Sequence, residues 1–223
     1  MARIVVLGAS GQTGRRVVAG ALARGWTVRA IARHATDALK PAAGLEVRDL
    51  DLLRAEPDEV RDALQGQDAV ISTLGVGSSR GATTLYSTAI AATLRAGPGL
   101  RIAVVSAVPV GGTDGHAFPE RRVAIPLLRR LFAGTYADMA RMERQLADSS
   151  AEWTVLRPPR LRDADPSGAL VRSPEPIRGG RSVATGDVAQ ALLDAVAGGA
   201  TSGQILYVAT RPSRVGAAPG SAS

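Results

Sequence analysis

One short run near the start of the chain limits its fold more than any other: Gly8-Ala9-Ser10-Gly11-Gln12-Thr13-Gly14, set between Ile4-Val5-Val6-Leu7 and Arg15-Arg16-Val17-Val18. A β-branched apolar run before three spaced glycines, with a helical pattern after them, is the opening of a strand–turn–helix unit. Each glycine has a mechanical task. Gly8 permits the tight turn, Gly11 lets the backbone approach a pyrophosphate, and Gly14 lets the helix lie close to the strand. The helix that follows offers free N–H groups and the positive end of its dipole to phosphate, so Ser10, Gln12 and Thr13 join the glycines as candidate contacts.

The rest of the chain repeats the alternation of short apolar runs with alanine-rich helical stretches, which predicts an α/β fold with a Rossmann-like, doubly wound parallel sheet. Strands are expected at Ile4–Leu7, Thr27–Ala32, Leu45–Arg48, Ala69–Thr73, Ile102–Ser106, Thr154–Leu156 and Ile205–Ala209. Helices are expected over Thr13–Arg24, from Glu56-Pro57-Asp58-Glu59 to Gly66, and over Thr84–Arg95, Ile125–Phe132, Ala137–Asp148 and Asp187–Ala197, the last with Asp187 as N-cap. Pro109–Pro126 reads as a loop or lid, and Arg157–Arg181 shows little periodicity. One domain over residues 1–210, with a small C-terminal substrate-side region and a disordered tail from Arg211 to Ser223, accounts for the 223 residues.

Composition narrows the function. The chain has no cysteine and only two histidines, His34 and His116, which leaves no thiolate nucleophile and makes a Cys- or His-built metal site an unsuitable reading. A mean hydropathy of +0.07 suits a globular chain, and no apolar run approaches the roughly 18 residues of a membrane span. With no secretory h-region, a cytoplasmic location is expected. The net charge is +7 and the pI near 11.0, compatible with nucleic acid, yet no recognition-helix or aromatic RNA-binding pattern accompanies it. The charge is uneven: Arg3, Arg15, Arg16, Arg24, Arg29 and Arg33 precede the first acid, Asp37. A basic opening segment suits an anionic ligand held beside the glycine turn.

The end of the second strand bears on which dinucleotide this is. An NAD site places an acid about 20 residues past the glycine turn to hold the ribose 2′-hydroxyl. Here the strand ends in Arg33-His34 instead, and a guanidinium there can pair with a 2′-phosphate through its planar fork, favouring NADP(H). Asp49 and Leu50, after the third strand, are candidate contacts for the adenine edge. Thr73, Leu74 and Gly75 end the fourth strand at the carboxyl edge of the sheet, where ligands lie in open α/β folds.

Together these residues resemble the atypical short-chain dehydrogenase/reductase group that includes NmrA-like proteins and the biliverdin-reductase-B/flavin-reductase branch. The matching pieces are residues 8–14, Ala32-Arg33, Arg48-Asp49-Leu50, Ser72-Thr73-Leu74-Gly75, Val104-Val105-Ser106 and the run Trp153 to Leu161, and the likeness spans roughly residues 3–209. The resemblance implies NADP(H) at the carboxyl edge, with the nicotinamide near Ser106 and the Pro158-Pro159 loop.

One departure matters. Ordinary members use a Tyr-xxx-Lys pair whose lysine lowers the tyrosine pKa. Lys40 is the only lysine, Tyr136 is followed four residues on by Ala140, and counting back from Leu156-Arg157-Pro158 puts the lysine position on Met139. Ser106 is then the candidate substrate-orienting donor, Tyr136 a candidate acid, and Arg141 and Arg160 possible neighbours. Asp138 and Glu143 read as solvated positions on a helix surface, and His116 as a possible lid donor. Two functions remain open: an NADPH-dependent reductase acting on a small organic acceptor such as a flavin, quinone or conjugated carbonyl, or a non-catalytic NADP(H) sensor. Either is expected as a monomer or homodimer, without membrane or metal.

Overall fold

The structure is a computed structural model that describes residues 1–77, 81–112, 120–198 and 200–211. Ten strands are described: β1 (Arg3–Leu7), β2 (Thr27–Ala32), β3 (Leu45–Asp49), β4 (Ala69–Ser72), β5 (Arg101–Val105), β6 (Trp153–Arg157), β7 (Arg160–Arg162), β8 (Leu170–Ser173), β9 (Ser182–Ala184) and β10 (Gln204–Thr210). The described α-helices are α1 (Gln12–Ala23), α2 (Ala35–Ala38), α3 (Pro57–Leu64), α4 (Leu85–Ala96), α5 (Ile125–Leu131), α6 (Ala133–Ala147) and α7 (Thr185–Gly198).

Eight strands form one sheet in the order β3-β2-β1-β4-β5-β6-β10-β8, parallel throughout except for β8, while β7 and β9 pair separately. The chain winds outward from β1 in one direction through β2 and β3, then returns to continue through β4, β5 and β6 in the other. The order reverses between β1 and β4, and a crevice opens there at the carboxyl ends of the strands.

Both faces of the sheet are covered, which is why the central strands read as unbroken apolar runs. In β1, Ile4 and Val6 face the cluster built with Val17 and Ala21 of α1 and Val188 and Leu192 of α7. Val5 and Leu7 face the opposite side, with Val60 and Leu64 of α3 and Ala89 of α4. A third cluster joins Tyr86 and Ile90 of α4 to Met139, Met142 and Leu146 of α6 beneath β5 and β6. The expected doubly wound fold is what the chain adopts.

Three expectations change. Arg157–Arg181 is not structureless: β7 and β8 lie in it, each of three or four residues and so too short for alternation to register. Asp187 is not the N-cap of α7, which begins at Thr185; its buried carboxylate accepts the Ser167 N–H (2.8 Å) and hydroxyl (2.5 Å) and fastens the preceding loop. The expected Pro109–Pro126 loop carries a 3₁₀ turn at Val108–Gly111 and a π turn at Glu120–Ala124 that runs into α5. His116 and all of the expected tail beyond Arg211 lie outside the described residues.

Candidate functional site

The glycine turn sits at the switch point with its sterics fixed by the neighbouring strand. Gly8 has φ +78°, and a Cβ there would lie 2.9 Å from the Thr73 carbonyl and the Leu74 nitrogen. A Cβ on Gly14 would lie 2.3 Å from the Gly8 carbonyl oxygen. Both positions therefore require glycine for packing. Gly11 differs: a Cβ there would meet only the Gly8 oxygen, at 3.4 Å, so its bareness serves the open side of the turn. The Thr73 hydroxyl donates to the carbonyls of Leu7 (3.0 Å) and Gly8 (3.2 Å), tying the end of β4 to the turn.

A cleft of about 660 Å³ runs along this edge. Its walls include Gly8, Ser10, Gly11, Gln12 and Thr13 from the turn, Arg33 and His34 after β2, Leu50 and Asp51 after β3, and Thr73, Leu74, Gly75 and Val76 after β4. Arg33 is exposed and forms no ion pair among the described residues. Other arginines of this half of the chain are committed: Arg16 to Asp163 (2.6 Å) and Asp165 (3.3 Å), Arg29 to Glu46 (2.7 Å), and Arg48 to Asp62 (2.7 Å).

Four expected cofactor contacts do not line the cleft. Gly14 is behind the turn, where it lets α1 approach. Asp49 turns away, its Oδ1 accepting the N–H groups of Ala35 (2.6 Å) and Thr36 (3.0 Å) and its Oδ2 the Thr36 hydroxyl (2.7 Å). Pro158 is buried, and its carbonyl accepts the Val108 N–H at 3.0 Å.

Ser106 is the fourth, only 3% exposed just past β5. Its hydroxyl donates to Glu143 Oε1 at 2.5 Å. Glu143 also takes two bonds from Arg157, from Nε to Oε1 (3.1 Å) and from Nη2 to Oε2 (2.5 Å). The same guanidinium donates to the Tyr207 hydroxyl at 3.0 Å and lies over that ring, 5.5 Å from its centroid. Glu143 is thus not the solvated surface acid its helical position suggests: its side chain is 7% exposed and that of Arg157 13%. Asp138 is likewise fully buried, accepting the Tyr86 N–H (2.9 Å) at the start of α4, the Ser87 hydroxyl and Arg141 (3.0 Å). Helical spacing puts these acids on a polar-looking face, but that face lies against α4 and the end of β6. Arg157, rather than Arg141 or Arg160, shares the partner of Ser106.

Tyr136 is half-buried at the start of α6, edge-on to Phe132 with ring centroids 6.2 Å apart. It packs on the cluster of Tyr86, Met139 and Met142, whose rim also takes Val76 and Ala107. Burial pushes the phenols of Tyr136 and Tyr86 above their ordinary range. Met139, onto which the count back from Leu156-Arg157-Pro158 falls, is 8% exposed among apolar side chains. Lys40 is exposed in the β2–β3 connection, with β1 and β4 standing between β2 and β5.

A sequence model of the NAD(P)H-binding family matches residues 8–198. The chain belongs to that family. The uncharacterized chloroplastic protein At2g34460 of Arabidopsis thaliana is 26% identical over 220 residues, covering 94% of this chain and 77% of the plant protein. Among solved structures, the oxidoreductase ylbE of Lactococcus lactis superposes with a TM-score of 0.75 at 17% identity, covering 93% of this chain and 90% of that one. ChuY, an anaerobillin reductase of Escherichia coli O157:H7, gives 0.74 at 24% identity, covering 94% and 98%. At these identities the likeness is one of fold.

The cleft fits the family's nicotinamide cofactor. The turn gives bare backbone at Gly11 and free N–H groups at the start of α1, where a pyrophosphate is best held. Leu50 and Leu52 supply an apolar wall past β3, and Leu74 to Val76 another past β4. Sequence reading missed Ala32, His34, Leu52, Leu53, Ile31, Gly77, Thr83, Leu85 and Leu161 as cleft residues. The first four stand beside Arg33 or Leu50 and could have been found by extending those motifs. Leu161 could not, because it reaches the cleft through the two-stranded β7–β9 pair.

Proposed function

We propose that the protein is an NADP(H)-dependent reductase that passes hydride to a small organic acceptor, a flavin, quinone or conjugated carbonyl, without a Tyr–Lys dyad. Arg33 carries the cofactor assignment: an exposed guanidinium in the cleft wall, free of carboxylate partners among the described residues, at the place where an NAD site puts an acid. Ser10, Gly11, Gln12 and Thr13 hold the pyrophosphate, and Leu50 flanks the adenine. Thr73, Leu74 and Gly75 bound the path toward the nicotinamide, which supplies a hydride equivalent when bound.

The protein's part in the chemistry is chiefly orientation. Tyr136 retains its proton well beyond neutral pH, because burial raises its pKa and no lysine lowers it. It stands outside the cleft lining, packed on the apolar cluster, and does not serve as an ionised base. Ser106, 3% exposed and outside the cleft lining with its proton held by Glu143, gives a ligand no donor in this arrangement. An acceptor whose reduced form takes its remaining proton from water suits such a site.

The experiment is paired titration with NADPH and NADH, together with NADPH oxidation against a panel of flavins, quinones and enones. A charge-assisted contact is worth roughly 1.5–3 kcal/mol, so NADPH should bind about tenfold to a hundredfold more tightly, and Arg33→Ala should remove most of the difference. Equal affinities in the unaltered protein refute the assignment. The sealing of Ser106 away from the cleft favours a second reading, a non-catalytic NADP(H) sensor. Tight NADPH binding without turnover on any acceptor of the panel would select it.

A further inference from the structure

We propose that Asp49 is the positioning residue for 2′-phosphate recognition, its carboxylate pinning the first turn of α2 and so fixing the Arg33-His34 corner in the cleft wall. The proposal rests on the reading of Arg33 given above. Asp49 stands at the end of β3, in register with Ala32 at the end of β2, and the Leu50 N–H donates to the Ala32 carbonyl at 2.9 Å. These contacts fix the chain on one side of the corner. On the other side, the Asp49 carboxylate holds the N–H groups of Ala35 and Thr36 at 2.6 and 3.0 Å and the Thr36 hydroxyl at 2.7 Å. Only Arg33 and His34 lie between the two anchors, and both line the cleft.

Two consequences follow for the ligand. A long guanidinium side chain gains less from one phosphate contact when the backbone beneath it must also be ordered, so a pinned corner lowers the cost of binding. The carboxylate at the end of β3 is also withdrawn from the cleft. With both oxygens spent on α2, Asp49 is neither free to hold a ribose 2′-hydroxyl in the NAD manner nor turned toward an incoming phosphate. The bonds from Thr36, then that from Ala35 and the charge of His34, hold this carboxyl below its usual range and keep it ionised as an acceptor.

The test titrates Asp49→Ala, Asp49→Asn, Thr36→Val and Arg33→Ala with NADPH, NADH and 2′,5′-ADP, with circular dichroism reporting the fold. Asp49→Ala should weaken NADPH and 2′,5′-ADP about tenfold while NADH stays within about twofold. Asp49→Asn should keep most of the preference, since its amide oxygen still accepts the two N–H groups. Thr36→Val, which removes one bond and leaves the carboxylate, should lose less in the same direction, and it decides the matter if Asp49→Ala does not fold. Equal weakening of NADPH and NADH by Asp49→Ala would overturn the proposal, because the carboxylate would then be a general cofactor contact. So would an asparagine variant as poor as the alanine one, or an unchanged preference in both Asp49→Ala and Thr36→Val. If Arg33→Ala itself leaves the preference intact, the 2′-phosphate reading fails and takes this proposal with it. If Arg33→Ala abolishes the preference while Asp49→Ala preserves it, only the positioning role fails.

Discussion

Replacing Glu143 by leucine should be among the most destabilising single changes on this side of the sheet. The substitution removes the one carboxylate that Arg157 and Ser106 share, and leaves a guanidinium whose side chain is 13% exposed with only Tyr207 as a described partner. Breaking one side of a buried ion pair costs about 3–5 kcal/mol, because the remaining charge stays desolvated without compensation. At about 2–4 °C per kcal/mol for a domain of this size, the melting temperature should fall by about 6–20 °C. Urea unfolding followed by circular dichroism measures the free energy, and scanning calorimetry the temperature. The double variant Glu143→Leu/Arg157→Met removes both charges, so it should regain most of the loss. Arg61→Ala serves as the surface control: its pairing with Asp58 joins side chains 64% and 87% exposed, and the change should stay within about 0.5 kcal/mol. A Glu143→Leu loss under about 1 kcal/mol would refute the reasoning, as would a double variant less stable than either single one.

Two further outcomes follow from the glycine turn and the tyrosines. Gly11→Val should fold normally and lose NADPH binding, whereas Gly14→Ala should destabilise the fold by about 1–3 kcal/mol through its clash with the Gly8 carbonyl; thermal melts run beside cofactor titrations separate the two effects. Because burial raises the Tyr136 pKa, the phenol stays protonated throughout neutral and mildly alkaline solution. Turnover should therefore show no steep rise between about pH 7 and 9, and Tyr136→Phe should cost only about tenfold. A rising alkaline limb that disappears in Tyr136→Phe would mean that the tyrosine acts as an ionised base.

The sheet was legible in the sequence because its central strands are buried on both faces and so appear as continuous apolar runs, with glycine turns and helix caps marking their ends. The glycine turn was legible for a related reason: backbone geometry forces glycine at Gly8 and Gly14, and that demand is visible in one sequence. The carboxylates were not. Asp138 and Glu143 look like surface acids, Asp49 like a ligand contact and Asp187 like a helix cap, yet each is bound to a partner at least 13 residues away. Partners for buried polar groups are set by which elements meet in space, and local periodicity carries no record of that. β7, β8 and β9 escaped for another reason, since strands of three or four residues take their stability from pairing rather than from a pattern of their own.

The missing lysine and the buried acid are two sides of one arrangement at the carboxyl edge of β5 and β6. Met139, onto which the count back from Leu156-Arg157-Pro158 falls, belongs to the apolar cluster under Tyr136, so a charge there would have to be buried among Tyr86, Ile90 and Met142. One turn further along α6, Glu143 is the charged residue that this edge does bury, and it is neutralised by Arg157 from β6 instead of serving a ligand. That exchange moves the electrostatics from the pocket to its foundation. A Tyr–Lys pair spends its charge on lowering a phenol pKa, whereas Glu143–Arg157 spends it on holding the ends of β6 and α6 together and fixing the direction of the Ser106 hydroxyl. What such an edge can give a reaction is geometry. On the reductase reading, turnover then depends on how well the acceptor stacks against the nicotinamide beside Leu74–Val76, and little on its demand for a proton. The acceptor panel should accordingly rank by shape and reduction potential, with flavins and quinones ahead of simple ketones. A simple ketone reduced as fast as a quinone would show that a proton donor operates at this edge after all.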